Sequence, residues 1–186
     1  MTGTHEKIAA GLERTFASQG FAEPSVETLR DAAGVSLRTL YKYMPSRADM
    51  VLAALEHRHQ RYMAQVLDDL PVDPGAARAA LIDRVGLWME RETTHGCLFH
   101  AAVAADPGSS SVRDLLSRHK QEVAERAAAA TGLAGQEVAL LLILEGLTQS
   151  WPLHGAQAVT AAKALTSALA AGSGYGADLA ESNTSL

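Results

Sequence analysis

Arg38, Thr39, Tyr41 and Lys42 fall within five consecutive residues, and Arg47 follows five further on. Arginine can bond the two acceptors of a guanine edge at once, and the threonine methyl can touch a thymine methyl. Tyrosine and lysine can bond phosphate oxygens. No acid occurs between Asp31 and Asp49, although the chain as a whole carries a formal charge of -5. A local cationic run on an acidic protein is what approach to a phosphate backbone requires. A run of basic residues is equally what a solvated helix face looks like. The elements that would position them decide between the two.

Ser25 is placed to cap a short helix whose inner face is Val26, Leu29, Ala32 and Ala33, and Gly34 supplies the positive φ that ends it. Ser36 is placed to cap a second helix, with Leu37, Leu40, Tyr43 and Met44 as its apolar stripe and Arg38, Thr39, Tyr41 and Lys42 turned outward. Two short helices joined by a glycine-containing turn form the spacing at which one helix can lie in the major groove. Glu27 is poorly suited to face a DNA backbone, so Thr28 is the expected contact from the first of the two.

Gly20-Phe21, Ser25-Val26, Ala33-Gly34-Val35-Ser36, Thr39-Leu40-Tyr41-Lys42-Tyr43 and Pro45-Ser46-Arg47 together resemble the N-terminal domain of the TetR family of transcriptional regulators. The resemblance is specific from about Lys7 to Leu55 and architectural beyond. It implies a recognition helix over Ser36 to Tyr43, the family's characteristic tyrosine at Tyr41 and its basic residue at Arg47. It further implies a homodimer on a palindromic operator, released by a small molecule. The sequence departs from the usual pattern at Arg30, Met44 and Arg47. Arg30 is expected to turn its head outward from the first helix.

At 186 residues the chain has room for a small domain joined to a larger one. Abundant alanine and few β-branched runs point to an all-α protein of about nine helices. The expected division is a three-helix helix-turn-helix domain over 1–47, a helical ligand-binding and dimerisation domain over 48–171, and a mobile tail over 172–186. No secretory segment or membrane span is legible, and the single Cys97 excludes an intrachain disulfide framework. A soluble cytoplasmic, bacterial protein is expected.

The first helix should run from about Thr4 to Gln19. Ser46, with Asp49 three residues later, should open a longer helix to about Val66, linking the reader to the rest. Helices are expected over Gly75 to Thr93, Cys97 to Ala105, and from a Ser110 or Ser111 cap to Ala130. Gln136 to Trp151 includes the run Val138 to Leu144, which is apolar nearly all round, and should stop at Pro152. Ala156 to Ala171 is rich in small residues. The economical reading of the last two is a four-helix interface in which they meet a second copy; a buried hairpin within a monomer is the alternative.

An effector pocket, if present, should lie between packed helices. Its candidate liners are Tyr62, Trp88, Met89, Phe99, His119, Glu145 and Trp151, each of which also suits plain core packing. Glu145 ends an apolar run, so it is either solvated at a rim or buried with a partner, and a pocket role would favour a cationic ligand. His95, Cys97 and His100, with His119 and His154 only through the fold, form an incomplete metal set. Cys97 is either a packing residue or a lone redox-sensitive thiol. No cofactor is implied, and no nucleophile-base pair or phosphate loop of an enzyme is legible. The function expected is a ligand-responsive transcriptional repressor, with an activator or a non-repressing binding module as the alternative. Operator, regulated genes and effector are not encoded in any motif.

Overall fold

The computed structural model describes residues 3–92 and 96–182, with side chains through 172. Nine α-helices make up this part of the chain: α1 Gly3–Gln19, α2 Val26–Ala33, α3 Leu37–Tyr43, α4 Arg47–Tyr62, α5 Pro74–Glu92, α6 Leu98–Ala105, α7 Ser110–Thr131, α8 Glu137–His154 and α9 Ala156–Ser182. A π-helical turn, Met63–Leu67, extends α4. No strand occurs among the described residues.

The chain divides into two compact units: Met1–Ala64 with Cys97–His119, and Gln65–Gly96 with Lys120–Leu186. The first is built on a core of Ile8, Leu12 and Phe16 from α1, Leu29 and Ala33 from α2, Leu40 from α3, and Met50, Ala54 and Leu55 from α4. Ile8, Leu12 and Phe16 recur every fourth residue, so α1 presents one continuous stripe. Phe16 stacks on Phe21 with ring centroids 4.9 Å apart. Burying each of these large side chains contributes about 1.5–3 kcal/mol. Gly11 permits the closest approach in this unit. A Cβ there would meet the carbonyl oxygen of Ala32, and would lie 2.7 Å from its carbon and 2.8 Å from the Ala33 Cα. The α1 and α2 backbones can therefore touch only because position 11 has no side chain.

In the second unit, Leu81, Ile82, Val85, Trp88 and Met89 of α5 form the buried face together with Leu140, Leu144 and Leu147 of α8 and Ala158 and Ala162 of α9. Gly86 sits under Val159, whose Cγ2 would be 2.7 Å from an added Cβ. Arg78 donates to the Thr131 carbonyl (2.8 Å) and Arg84 to those of Asp68 (2.5 Å) and Asp69 (2.9 Å), closing two helix ends whose last carbonyls lack helical partners.

Three boundaries differ from the sequence expectation. Pro152 lies inside α8 and does not end it. A proline removes one N–H, but Gly155 at φ 49 still donates to the Trp151 carbonyl, and the helix closes there. The α7 cap is Ser109, whose Oγ accepts from the Val112 N–H. α9 continues to Ser182, past the Gly172 from which a tail was expected. Alanines at 177 and 180 are strong helix formers and favour the continuation. Residues 183–186 lie outside the described part.

Candidate nucleic-acid interface

The helices α2, α3 and α4 each start on the serine that the sequence marks. Ser25 Oγ accepts from the Thr28 N–H (3.2 Å), Ser36 Oγ from the Thr39 N–H (3.1 Å) and Ser46 Oγ from the Asp49 N–H (3.1 Å). At Ser46 the carboxylate of Asp49 returns the bond to the Ser46 N–H (2.9 Å), completing a capping box. Gly34 ends α2 at φ 64, and its N–H reaches back to Arg30 and Asp31. Such a short α2 and α3 would be marginal alone. Caps and the buried Leu29, Ala33 and Leu40 hold them in place.

Leu40 is fully buried and Met44 nearly so, which turns the opposite face of α3 to solvent. Arg38, Lys42 and Ser36 are exposed, and Thr39 is half-buried with its hydroxyl 2.8 Å from that of Ser36. Tyr41 is 42% exposed, so its phenol projects from the surface. Tyr43 is half-buried, edge-on to His5, with the Lys42 ammonium 5.8 Å from its ring centre. Leu37 corrects the expected stripe: it is exposed, because the first turn of α3 projects beyond the core that receives Leu40. Thr28 is half-buried and bonded to the Ser25 hydroxyl, while Glu27 is exposed. Arg30 turns outward onto Asp31 at 2.7 Å.

Arg47 does something the sequence did not show. Its two terminal nitrogens donate to the carbonyls of Pro24 (2.9 Å) and Phe21 (2.7 Å), and its guanidinium lies 5.8 Å from the Phe16 ring centre. The side chain therefore ties the start of α4 to the α1–α2 corner. Gly11 is another residue that sequence reasoning missed; a lone glycine within a helical stripe, where it costs helix stability, is the signal that could have found it.

The seven expected effector residues fall into two groups. In the first unit, Phe99 and His119 stack with centroids 4.0 Å apart, Tyr62 meets His119 edge-on, and the Nδ1 atoms of His59 and His119 are 3.0 Å apart. In the second, Trp88 and Met89 are buried, Trp151 is half-buried, and Glu145 is paired with Lys120 at 2.5 Å. None of the seven lines the groove of about 620 Å³ between α8 and α9. That groove is walled by Leu142, Ile143, Leu147, Ala158, Ala161 and Leu165, with Leu142 and Leu165 more than half exposed. Among the described residues the unbroken apolar run of α8 is thus covered on one side only. Cys97 is half-buried at the start of α6 and His100 is exposed; His95 lies outside the described residues. Among the described residues no three His, Cys, Asp or Glu side chains gather as a metal site, and no helix is long and apolar enough to cross a membrane.

A capped helix-turn-helix with a basic, solvent-facing second helix defines a DNA-binding regulator. Residues 8–54 match the model of the bacterial regulatory proteins of the tetR family. Over these residues the chain carries the DNA-binding domain of that family. Its fold is that of several solved relatives, each 18% identical. A TetR-family transcriptional regulator from Streptomyces coelicolor superposes with a TM-score of 0.74 over 89% of this chain and 93% of its own. For NemR of E. coli in its reduced form the values are 0.76, 89% and 97%, and for a TetR transcription regulator from Haloarcula marismortui 0.73, 92% and 98%. No curated protein sequence matches.

Proposed function

We propose that the protein is a homodimeric, ligand-responsive repressor that binds a palindromic operator through two copies of α3. The observation that carries this reading is the exposed face of α3, where Arg38, Tyr41 and Lys42 project from a helix fixed by the Ser36 cap and buried Leu40. Arg38 and Thr39 suit base edges, and Thr28, Ser36, Tyr41, Lys42 and Tyr43 suit phosphates. Arg47 belongs to the interface as the clamp on the start of α4. Dimerisation is assigned to α8 and α9, whose exposed Leu142 and Leu165 would be covered by a second copy. Leu142→Glu should then yield monomers in sedimentation.

An effector would act through its different affinity for the operator-bound and released states. The candidate side chains are the aromatic cluster around His119 in one unit and the Lys120–Glu145 pair with Trp88, Met89 and Trp151 in the other. No enzymatic step or cofactor belongs to this reading, and its setting is the bacterial cytoplasm.

The test is selection of bound sequences from a random DNA pool at a stated moderate salt concentration. Enrichment of a palindrome is the expected result. A folded dimer that enriches nothing would overturn DNA reading by the free protein. An activator or a non-repressing binding module would be told from a repressor by reporter output with and without the protein.

A further inference from the structure

Among the described residues Glu13 is the only buried acid, with 1% of its surface exposed. It stands on α1, one position past Leu12 in the core stripe, and three side chains of α4 converge on it. His57 Nδ1 lies 2.5 Å from Oε2, while Arg58 and Arg61 donate to Oε1 at 3.1 and 2.9 Å. A buried ionic cluster is poor evidence of stability, because desolvation offsets most of its attraction; its best-attested value is in fixing one geometry over others.

The partners lie beyond the core contacts of α4. Met50, Ala54 and Leu55 hold the first half of that helix through apolar packing. His57, Arg58 and Arg61 occupy the next two turns, and the helix changes to π geometry immediately afterwards, at Met63. Such π-turns disturb the hydrogen-bond ladder and are a usual place for a helix to bend. Glu13 thus extends the rigid grip of α1 on α4 up to that turn.

We propose that Glu13 is the positioning residue that locks the DNA-reading helices to the distal half of α4, so that this carboxylate sets which spacing of operator half-sites the protein accepts. The proposal rests on the dimeric DNA-reading function above. Without the Glu13 tie, the hold of α1 on the second half of α4 would loosen, and the two readers of a dimer would sample a wider range of separations.

The experiment compares affinity for the selected operator with affinity for versions carrying one base pair more or one fewer at the centre. A partly unfolded sample lowers both affinities equally, so their ratio reports geometry and not stability. In Glu13→Gln the ratio should fall by about three- to thirtyfold, the range seen when a coupling residue is altered. Arg61→Gln, which removes a partly exposed partner and leaves the buried Glu13–Arg58 pair, should relax the ratio less and serves where the first variant does not fold. An unchanged ratio in a folded Glu13→Gln, or in Arg61→Gln where that variant stands alone, overturns the proposal. A wild-type protein with no operator preference would instead overturn the DNA-reading function, and the proposal with it.

Discussion

The guanidinium of Arg47 donates to the backbone carbonyl of Phe21 at 2.7 Å, a residue of the α1–α2 connection 26 positions earlier. With its second bond to Pro24 at 2.9 Å, it fixes the α1–α2 corner against the start of α4. Lysine carries the same charge but cannot span two carbonyls with a planar fork. Arg47→Lys should therefore weaken operator binding by about tenfold, the worth of one to two hydrogen bonds, while the dependence of log affinity on log salt keeps its slope. Arg47→Gln should leave that slope unchanged too. A slope reduced by about one unit in Arg47→Gln would show a phosphate contact instead.

Tyr41 projects from α3 and takes no part in the core. Tyr41→Ala should abolish detectable operator binding in a gel-shift or anisotropy titration. Its melting temperature should stay close to wild type, since exposed substitutions away from caps and strain fall within about 0.5 kcal/mol. Retained affinity would remove Tyr41 from the interface.

The reader was legible because its signals are local. Ser25, Gly34, Ser36 and the Ser46–Asp49 box each act within four residues, and the structure places every one as the pattern predicts. Leu40 could be assigned to the core from helix period alone. What stayed hidden depends on distant partners: Arg47 reaches across to Phe21 and Pro24, Glu13 gathers three side chains of α4, and Lys120 finds Glu145 on another helix. No spacing rule within one helix announces such pairs. Pro152 misled for a related reason, since its cost to α8 is one hydrogen bond that the following turn tolerates.

Gly11 should resist enlargement. A Cβ at this position meets backbone atoms of Ala32 and Ala33, which cannot rotate away as a side-chain tip can. Alanine gains helix propensity of about 1 kcal/mol, yet separating α1 from α2 undoes packing around Leu12 and Leu29. Gly11→Ala should lower stability by about 1–3 kcal/mol net, as overpacking does. Thermal unfolding measures it, and a melting temperature equal to or above wild type would show that the helices part without loss.

Glu137 at the start of α8 accepts a hydrogen bond from the Gly135 N–H at 2.8 Å. That bond, and a second from its own backbone, hold its carboxyl below the ordinary 4.5. A depressed value means the charged form is favoured in the folded protein. Its contribution is complete above the unfolded value and disappears as pH falls through the lower, folded one. The melting-temperature difference between wild type and Glu137→Gln should be constant from pH 7 to about 5 and shrink below that. A difference independent of pH down to 3 would assign the effect to the hydrogen bond without the charge.

Lys120 and Glu145 form an ion pair at 2.5 Å with both side chains less than a quarter exposed. Removing one charge leaves the other in a poorly hydrated place. Glu145→Gln should thus cost about 1–2 kcal/mol, below the 3–5 of a fully buried pair because some water still reaches it. A double-mutant cycle with Lys120→Met isolates the coupling. On the proposed ligand-responsive reading the pair also bears on effector chemistry. A cationic effector must compete with Lys120 for Glu145, whereas an anionic one must compete with Glu145 for Lys120. Glu145→Gln should weaken the response to a cation and sharpen the response to an anion, read as the effector concentration that releases half of the bound operator. If both Glu145→Gln and Lys120→Met release at the wild-type concentration for every inducer identified, this pair lies outside the effector site and serves only to join α7 to α8.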